Sequence, residues 1–305
     1  MFSLATPNMS QKLLEIWRLS FDDSPQSTEL FFKYRFKYEN CAVYSTPEGL
    51  PVAMLNMIPT EVTEDNIVEP VQYIYGAATH PDYRGKGIMT SLIEFARRTA
   101  ELRRQTYQAL VPASKELYGF YGKQGFETAF YIRKVYMTRR ELVTLLKKNA
   151  GRKKRQLYFN TLDAEQIARL RRDVYAEREG YVLWGVYDVG YAAQSATVAG
   201  GEVFTVTDGI DAGCAFCHEY EQGKRVVISE FICGNRFEED FISSLLARFP
   251  HCEKFEIRMP PYDGFFREYG AIEKFGMLRS VNGKKAANLL SLSDIHVPFL
   301  GLALD

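Results

Sequence analysis

A short segment, Thr79–Met89, has the residue types of a binding loop for a phosphate group. It reads Thr-His-Pro-Asp-Tyr-Arg-Gly-Lys-Gly-Ile-Met and lies between a predicted strand and a predicted amphipathic helix. Gly85 and Gly87 let the backbone turn tightly and approach a ligand closely. The free N–H groups at a helix start attract an anion, and Arg84 and Lys86 add positive charge there. The segment therefore predicts a site for a phosphate-bearing ligand.

Two common phosphate-binding motifs do not fit this segment. A Walker loop requires Ser or Thr after a Gly-Lys pair, and no Gly-Lys pair of this chain is followed by either. The dinucleotide fingerprint requires a third glycine where this chain has Thr90, and it also expects an acidic residue about 20 positions later. A surface turn that uses its glycines only for backbone geometry stays the alternative.

A second string, Cys214-Ala215-Phe216-Cys217-His218, has the C-x-x-C-H spacing of a haem attachment site. A zinc site would need a second pair of ligands, and Cys233 and Cys252 do not have that spacing. Cys214 and Cys217 also fall in a predicted strand, where they point to opposite faces. We expect ordinary strand residues here and no metal site.

The elements that must position the phosphate loop alternate between helix and strand. The helical pattern begins at Ile88 after the loop, where the apolar residues recur at helical spacing. Further helices are predicted at Met9–Leu19, Thr28–Tyr34 and Ser114–Gln124, and strands at 41–44, 51–58, 71–79, 105–111 and 126–137. Such a mixture predicts an α/β (α+β) fold with a mixed central sheet flanked by helices.

Together with a later segment, this loop resembles the GCN5-related N-acetyltransferases (GNAT). His80–Ile88 resembles the acyl-coenzyme A loop of that family, and Leu117–Phe126 resembles its second motif, a helix ending in F-Y-x-x-x-G-F. Met89 departs from the Gly or Ala usual at its position, and Ser114 from the frequent Asn. Both variants, and Trp17–Asp23, look like the two-domain branch similar to the enhanced intracellular survival acetyltransferases.

The resemblance implies a role for particular residues. The loop residues Gly85, Lys86, Gly87 and Ile88 would hold the coenzyme A pyrophosphate through their backbone amides, with Arg84 and Met89 beside them. Strand residues Ala77 and Thr79 would pair with the pantetheine arm, and Tyr121 would lie beside the thioester sulfur as the general acid.

The proteins of this branch have a second domain of the same fold, and one segment of this chain indicates a boundary between two domains. Residues 147–155 hold six basic residues and a glycine, which predicts a basic linker between a catalytic domain, 1–146, and a degenerate GNAT-like domain, 156–305. Aligning Ser91 with Ser244 places Phe237–Asp240 opposite Arg84–Gly87, and a separate match of Phe120–Gly125 with Phe265–Gly270 places Phe266 opposite Tyr121. We therefore expect a second domain without catalysis, closed by a terminal strand over 288–305.

Composition limits the partners. The 305 residues carry 38 basic and 38 acidic side chains, so no net charge attracts nucleic acid or an anionic membrane. No apolar run approaches the ~18 residues that cross a bilayer. The five cysteines form no scaffold pattern, which favours reduced thiols and a cytoplasmic protein. Association with further copies of the chain stays open.

The function that the resemblance implies is transfer of the acetyl group of acetyl-coenzyme A to a primary amine of a small molecule or peptide. A non-catalytic acyl-coenzyme A-binding sensor or interaction module is the alternative. The general base is open: His80 precedes a proline and is expected to be a turn residue, and the terminal carboxylate of Asp305 is a second candidate. The acceptor amine also stays open.

Overall fold

The computed structural model describes residues 1–148, 155–175, 179–234, 236–261, 266, 268–283, 287–290 and 298–302. The strands in these ranges are β1 Phe2–Leu4, β2 Cys41–Ser45, β3 Pro51–Glu64, β4 Ile67–Thr79, β5 Tyr107–Leu110, β6 Glu127–Thr138, β7 Tyr158–Phe159, β8 Val182–Leu183, β9 Glu202–Thr207, β10 Ala212–Tyr220, β11 Arg225–Cys233, β12 Lys254–Met259 and β13 Ala271–Ser280. The α-helices are α1 Ser10–Arg18, α2 Pro25–Leu30, α3 Ile88–Leu102, α4 Lys115–Gly122, α5 Arg139–Lys148, α6 Ala164–Tyr175, α7 Val186–Val198, α8 Glu238–Arg248 and α9 Ala287–Leu290.

The chain divides into two compact units. Unit 1 comprises Met1–Phe130 and Phe275–Ser291, and unit 2 comprises Tyr131–Lys274 and Leu292–Ala303. Contact units need not be folding domains, so the predicted boundaries at 146 and 156 stay a prediction. The predicted basic linker lies mostly outside the described residues, because 149–154 are not among them.

Unit 1 is built on a mixed sheet with the strand order β1-β2-β3-β4-β5, followed by residues 275–280 of β13. Neighbouring strands are antiparallel except β4 and β5, which are parallel. A parallel pair needs a crossover connection, and α3 provides it. A strand from late in the chain therefore completes the sheet beside β5.

The two faces of this sheet are covered by different helices. The apolar stripe of α3, which includes Leu92 and Ile93, packs in one core cluster with Ile74 of β4. On α1, Trp17 lies 5.8 Å from the ring of Tyr75. Successive strand side chains point to opposite faces, so α3 covers one face of β4 and α1 the other.

Unit 2 repeats the same arrangement with different residues. Its strand order is β7-β9-β10-β11-β12-β6, and only β11 and β12, joined by α8, are parallel. Glu230 of β11 contacts Arg171 of α6, whereas the adjacent Phe231 lies 5.2 Å from Phe241 of α8. Both units therefore carry three antiparallel strands, a crossover helix and a parallel strand, with helices on both faces.

The structure describes only 288–290 and 298–302 of the predicted terminal strand over 288–305, and it contradicts a strand at the first of these. Ala287–Leu290 is a helical turn, and Phe299 makes only an isolated bridge to Tyr181. The terminal residue Asp305, considered as a base, lies outside the described residues. No helix in the described ranges is long and apolar enough to span a membrane.

Candidate functional site

The loop between β4 and α3, residues 80–87, is here called the glycine loop. It begins with a helical turn at Pro81–Tyr83, where the Nδ1 atom of His80 accepts a hydrogen bond from the N–H of Asp82 at 3.4 Å. Arg84 donates through Nε to the carbonyl of Thr79 at 3.0 Å, and Lys86 donates through Nζ to the carbonyl of Asp82 at 3.0 Å. His80 thus serves the turn, and both cations are held to the loop while their other N–H donors stay available.

Both glycines of the loop adopt a left-handed backbone. Gly85 has φ +75° and Gly87 has φ +73°, a region that costs other residues about 1–2 kcal/mol. Gly87 is also the N-cap of α3 and brings no capping side chain. A Cβ at either position would meet no neighbour within 4 Å, so the space in front of the loop is open. The sequence therefore needs glycine here for its backbone and not for packing.

The start of α3 is rich in unused donors. In the described part of the chain, the N–H groups of residues 85–88 donate to no backbone carbonyl, and the first helical bond runs from Ser91 to Gly87. The 15 residues of α3 align their peptide dipoles so that the positive end lies at these N–H groups. This corner of unit 1 can bind an anion such as a phosphate group.

Beside this corner, β4 and β5 part. They pair from Val71 to Tyr73 on β4, and β4 then runs on to Thr79 without a partner in β5. On its other side β4 stays paired with β3, with Thr79 opposite Ala53. The parted edge, Ile74–Thr79, contains Ala77 and Thr79, so an extended ligand can hydrogen-bond to backbone groups there in the manner of an added strand.

A β-bulge interrupts the parted edge. The register slips between Met54 and Asn56 of β3, where β4 holds one extra residue around Gly76. Gly76 has φ +58°, and a side chain there would overlap the Trp17 indole. The Trp17 Nε1–H donates to Asp23 at 2.8 Å, which fixes the ring on the bulge. Bulges redirect backbone groups next to active sites.

Tyr121 lies on α4, in unit 1, with only 8% of its surface exposed. Its ring packs against Phe120 and Phe126 with centroid distances of 5.1 and 5.8 Å. Burial raises the pKa of its hydroxyl above the ordinary value of 10. Within the described residues this hydroxyl makes no hydrogen bond, so a proton on it is held firmly and is not committed to a neighbour.

Sequence reasoning missed a buried cation in the same unit. Arg279 comes from β13, is 9% exposed, and donates to Gln108 on β5, to the carbonyl of Gln124 after α4 and to the carbonyl of Ile93 in α3. No local pattern could have found it, because the sequence does not show that β13 pairs with β5. By contrast, the isolated Gly76 in a strand pattern was a usable signal of the bulge.

In unit 2, the turn between β11 and α8 is shorter, and the helix that follows it has an acidic start. The turn contains Gly234 and a buried Phe237, and α8 begins with Glu238, Glu239 and Asp240. Phe237–Asp240, which were aligned with Arg84–Gly87, include no glycine and no cation, although Gly234 and Arg236 lie in the turn just before them. Where Tyr121 was aligned, Phe266 is fully buried and lies 6.0 Å from Phe231.

The C-x-x-C-H string forms part of β10. Cys214 and Cys217 are buried free thiols, and burial raises the pKa of both. Across the described ranges, no group of three or more His, Cys, Asp or Glu side chains is placed to hold a metal ion.

Residues 2–129 match the family model described as an acetyltransferase (GNAT) domain. No curated protein matches the sequence. A GCN5-related N-acetyltransferase from Anabaena variabilis superimposes with a TM-score of 0.77 at 18% identity, over 95% of this chain and 74% of that one. Eis1 from Mycobacterium abscessus gives a TM-score of 0.70 at 10% identity, over 96% and 77%.

A tandem GNAT protein from the clavulanic acid biosynthesis pathway gives a TM-score of 0.50 at 11% identity, over 93% of this chain and 100% of that one. At such identities the likeness to solved structures is one of fold. It agrees with the two repeated sheet-and-helix arrangements of the described residues. Residues 2–129 therefore match a GNAT acetyltransferase domain, and the described residues have a tandem GNAT fold.

Proposed function

We propose that this protein is an N-acetyltransferase that moves the acetyl group of acetyl-coenzyme A directly to a primary amine of a small molecule or peptide. The observation that carries the proposal is the bare, glycine-turned N-terminus of α3 next to the parted edge of β4. An anion site beside the stretch of β4 at Ala77 and Thr79, past the pairing with β5, suits a ligand with a pyrophosphate and an amide-bearing arm. Coenzyme A has both parts.

In this proposal the glycine loop binds the pyrophosphate. The N–H groups of Gly85, Lys86, Gly87 and Ile88 point to the anion, with Met89 continuing the first turn of α3. The side chains of Arg84 and Lys86 add positive charge at an exposed position. The fit is supported by donors that have no backbone acceptor and by the open space before both glycines.

The parted edge orients the pantetheine arm. Backbone groups of Ala77 and Thr79 hydrogen-bond to it as an extra strand, and the bulge at Gly76 directs a backbone group toward the reacting carbonyl. Bound acetyl-coenzyme A supplies an activated thioester. Trp17 keeps the bulge in place from the opposite face of the sheet.

Tyr121 provides the proton for the departing sulfur. A general acid must be protonated when it acts, and burial keeps the pKa of this hydroxyl above 10. Direct transfer needs no covalent nucleophile from the protein. The cysteines support this, because all five are buried and burial raises the pKa of each thiol, which leaves little thiolate.

The first test replaces Tyr121 with Phe and measures release of free thiol from acetyl-coenzyme A across a panel of amines. We expect kcat to fall by about two orders of magnitude, while the dissociation constant for coenzyme A stays the same. Tyr118→Phe is the matched control, since Tyr118 lies on the same helix and donates to the carbonyl of Phe275 at 3.0 Å. Equal rates for both variants would remove Tyr121 from the mechanism.

The pH profile checks the same assignment. An acid with a raised pKa stays protonated until the pH rises through that value, so Tyr121 should impose no loss of rate between neutrality and about pH 9. A fall in kcat below about pH 9 that Tyr121→Phe abolishes would contradict the raised pKa, although it would identify Tyr121 as the titrating acid. Wild-type protein that binds acetyl-coenzyme A and acetylates no amine of the panel would instead be a non-catalytic binding module.

A further inference from the structure

Three polar side chains form a row across three neighbouring strands of unit 1. In register, Gln72 of β4 lies opposite Gln108 of β5, and Gln108 lies opposite Arg279 of β13. Gln108 donates to Gln72 at 2.6 Å, and the Nε of Arg279 donates to Gln108 at 2.6 Å. Both glutamines are fully buried. This polar row crosses the sheet one residue before β4 and β5 part.

The remaining arms of the guanidinium reach the two helices on that face. One Nη donates to the carbonyl of Gln124 at 2.7 Å, directly after α4, and the other to the carbonyl of Ile93 in α3 at 3.2 Å. The guanidinium also lies over the ring of Phe126, at 4.6 Å from its centroid. Arg279 thus bonds to β5, α3 and the end of α4 at once.

Burial of the charged Arg279 guanidinium costs free energy. The oxygen partners of Arg279 belong to amides and not to carboxylates, and burial lowers the pKa of its guanidinium to about 10. Apolar residues in place of buried ionic groups are often neutral or stabilising. Stability alone therefore does not explain an arginine at this position. A need to hold three elements together does explain it, because the planar guanidinium with its five donors can bond to several elements at once better than any other side chain.

The turn that Arg279 holds is the one that follows Tyr121. The N–H groups of Gln124 and Phe126 both donate to the Tyr121 carbonyl, at 2.8 and 3.2 Å. The cation at Gln124 also lies at the negative end of α4, where it stabilises the last turn. In addition, the Gln124 side chain donates to Thr90 in the first turn of α3 at 3.4 Å.

We propose that Arg279 is a positioning residue for acyl transfer, acting on Tyr121 through the turn at Gln124. Through the polar row it also fixes the point where β4 and β5 part. The inference rests on the proposed function of unit 1. It assigns the late strand β13 a part in the reaction.

The experiment compares Arg279→Met with Arg97→Met. Arg97 is a matched control, because it lies on α3 and donates to the carbonyl of Val281 at 3.0 Å, just beyond β13, but does not contact α4. We expect Arg279→Met to lower kcat at least tenfold, with less than a threefold change in the dissociation constant for coenzyme A. Arg97→Met should stay within twofold in both. Loss of coenzyme A binding without loss of kcat would overturn the inference.

Two further variants separate positioning from folding. Arg279→Lys keeps a cation at this position, so we expect it to retain part of the wild-type kcat. This comparison with wild type can be made even if Arg279→Met does not fold. In a Tyr121→Phe background, Arg279→Met should cost less than threefold, since the residue it positions has no proton to give. An unchanged tenfold loss in that background would show that Arg279 does not act through Tyr121.

Amide hydrogen exchange tests the positioning role of Arg279 without a measurement of turnover. Arg279→Met, or Arg279→Lys if the former does not fold, should speed exchange of the Gln124 and Phe126 amides, and Arg97→Met should not. Unchanged exchange would overturn the positioning role. Wild-type protein without any turnover would overturn the proposed function instead, so the two failures can be told apart.

Discussion

The turn that precedes the crossover helix differs sharply between the two units, although the strands around it are alike. In unit 1 this is the exposed glycine loop with two left-handed glycines. In unit 2 it is a short turn whose Phe237 is fully buried, with Arg155 over its ring at 5.7 Å. The comparison shows that the fold supplies the helix and the parallel strand pair, while a few loop residues decide whether an anion can approach.

The charges near these two turns also differ between the units. Arg84 and Lys86 flank the glycines of unit 1, whereas α8 of unit 2 starts with Glu238, Glu239 and Asp240. Carboxylates in a first helical turn satisfy the positive end of the helix from within the protein. In unit 2 these carboxylates therefore interact with the positive end of α8, whereas in unit 1 the positive end of α3 remains open to an anionic ligand. The zero net charge of the chain conceals this contrast.

The bulges differ as well. In unit 1 the bulge of β4 is covered by the aromatic ring of Trp17. In unit 2 the bulge of β11 is at Ser229, and the next residue, Glu230, binds Arg171 at 2.7 Å and accepts the N–H of Leu302 at 2.7 Å. In unit 2, late residues of the chain thus contact this bulge through the Glu230 side chain.

The sharpest way to test the comparison is to give both turns the same substitution. Gly87→Val places a β-branched residue at φ +73° and a side chain in front of the donors, so we expect coenzyme A binding to weaken by at least about tenfold. Gly234→Val alters the turn of unit 2, where a Cβ meets no neighbour within 4 Å, and should leave binding unchanged. Isothermal calorimetry measures both. Equal losses would mean that the glycine loop has no special part in binding.

Local sequence was enough to predict the glycine loop. Glycine at a strand-to-helix junction, an apolar stripe from Ile88 and an aromatic pair before Gly125 depend on neighbours within a few residues, so they can be recognised without a structure. The same holds for the acidic start of α8. Tyr121 packs in one core cluster with Leu92 and Ile93, so α4 and the helix after the glycine loop lie on the same side of the sheet.

The polar row shows what sequence could not predict. Gln72 and Gln108 lie in largely apolar strands, and glutamine is usually exposed, so their full burial could not be foreseen. Arg279 enters unit 1 through the pairing of β13 with β5, more than 150 residues apart. A charge this far along the chain gives no periodic signal of its place. The pairing of strands that lie far apart in the sequence is therefore the part of the fold that the sequence does not predict.

A smaller effect is expected from the cations of the glycine loop. The double variant Arg84→Ala, Lys86→Ala should weaken coenzyme A binding about three- to tenfold at low salt, and the difference should shrink as salt screens these exposed charges. Arg98→Ala is the control, because this exposed cation of α3 lies about 16 Å along the helix from Gly87, beyond the screening length at physiological salt. A loss that does not depend on salt would point to a lost structural contact instead.

The smallest expected effect concerns Arg155, which occupies the corresponding corner of unit 2. Its guanidinium lies 2.7 Å from Asp208, 2.9 Å from Asp211 and 3.4 Å from Asp240. Arg155→Ala leaves three carboxylates without their shared cation, so we expect a melting temperature lower by a few degrees. Coenzyme A binding should be unaffected, since the glycine loop is in the other unit. A change in binding would contradict our assignment of the ligand to unit 1 alone.

The pH dependence of the Arg155 effect has a definite sign. Burial raises the pKa of Asp208, but backbone hydrogen bonds from Asp211 and Ile210 and the Arg155 cation outweigh it, so the net shift is downward. A carboxyl with a lowered pKa stabilises the fold above its unfolded pKa and loses that contribution as the pH falls through the folded value. The stability difference between wild type and Arg155→Ala should therefore be full at pH 7 and decline only as the pH falls below about 4. A difference that persists in acid would show that Arg155 acts by packing on Phe237 rather than by charge.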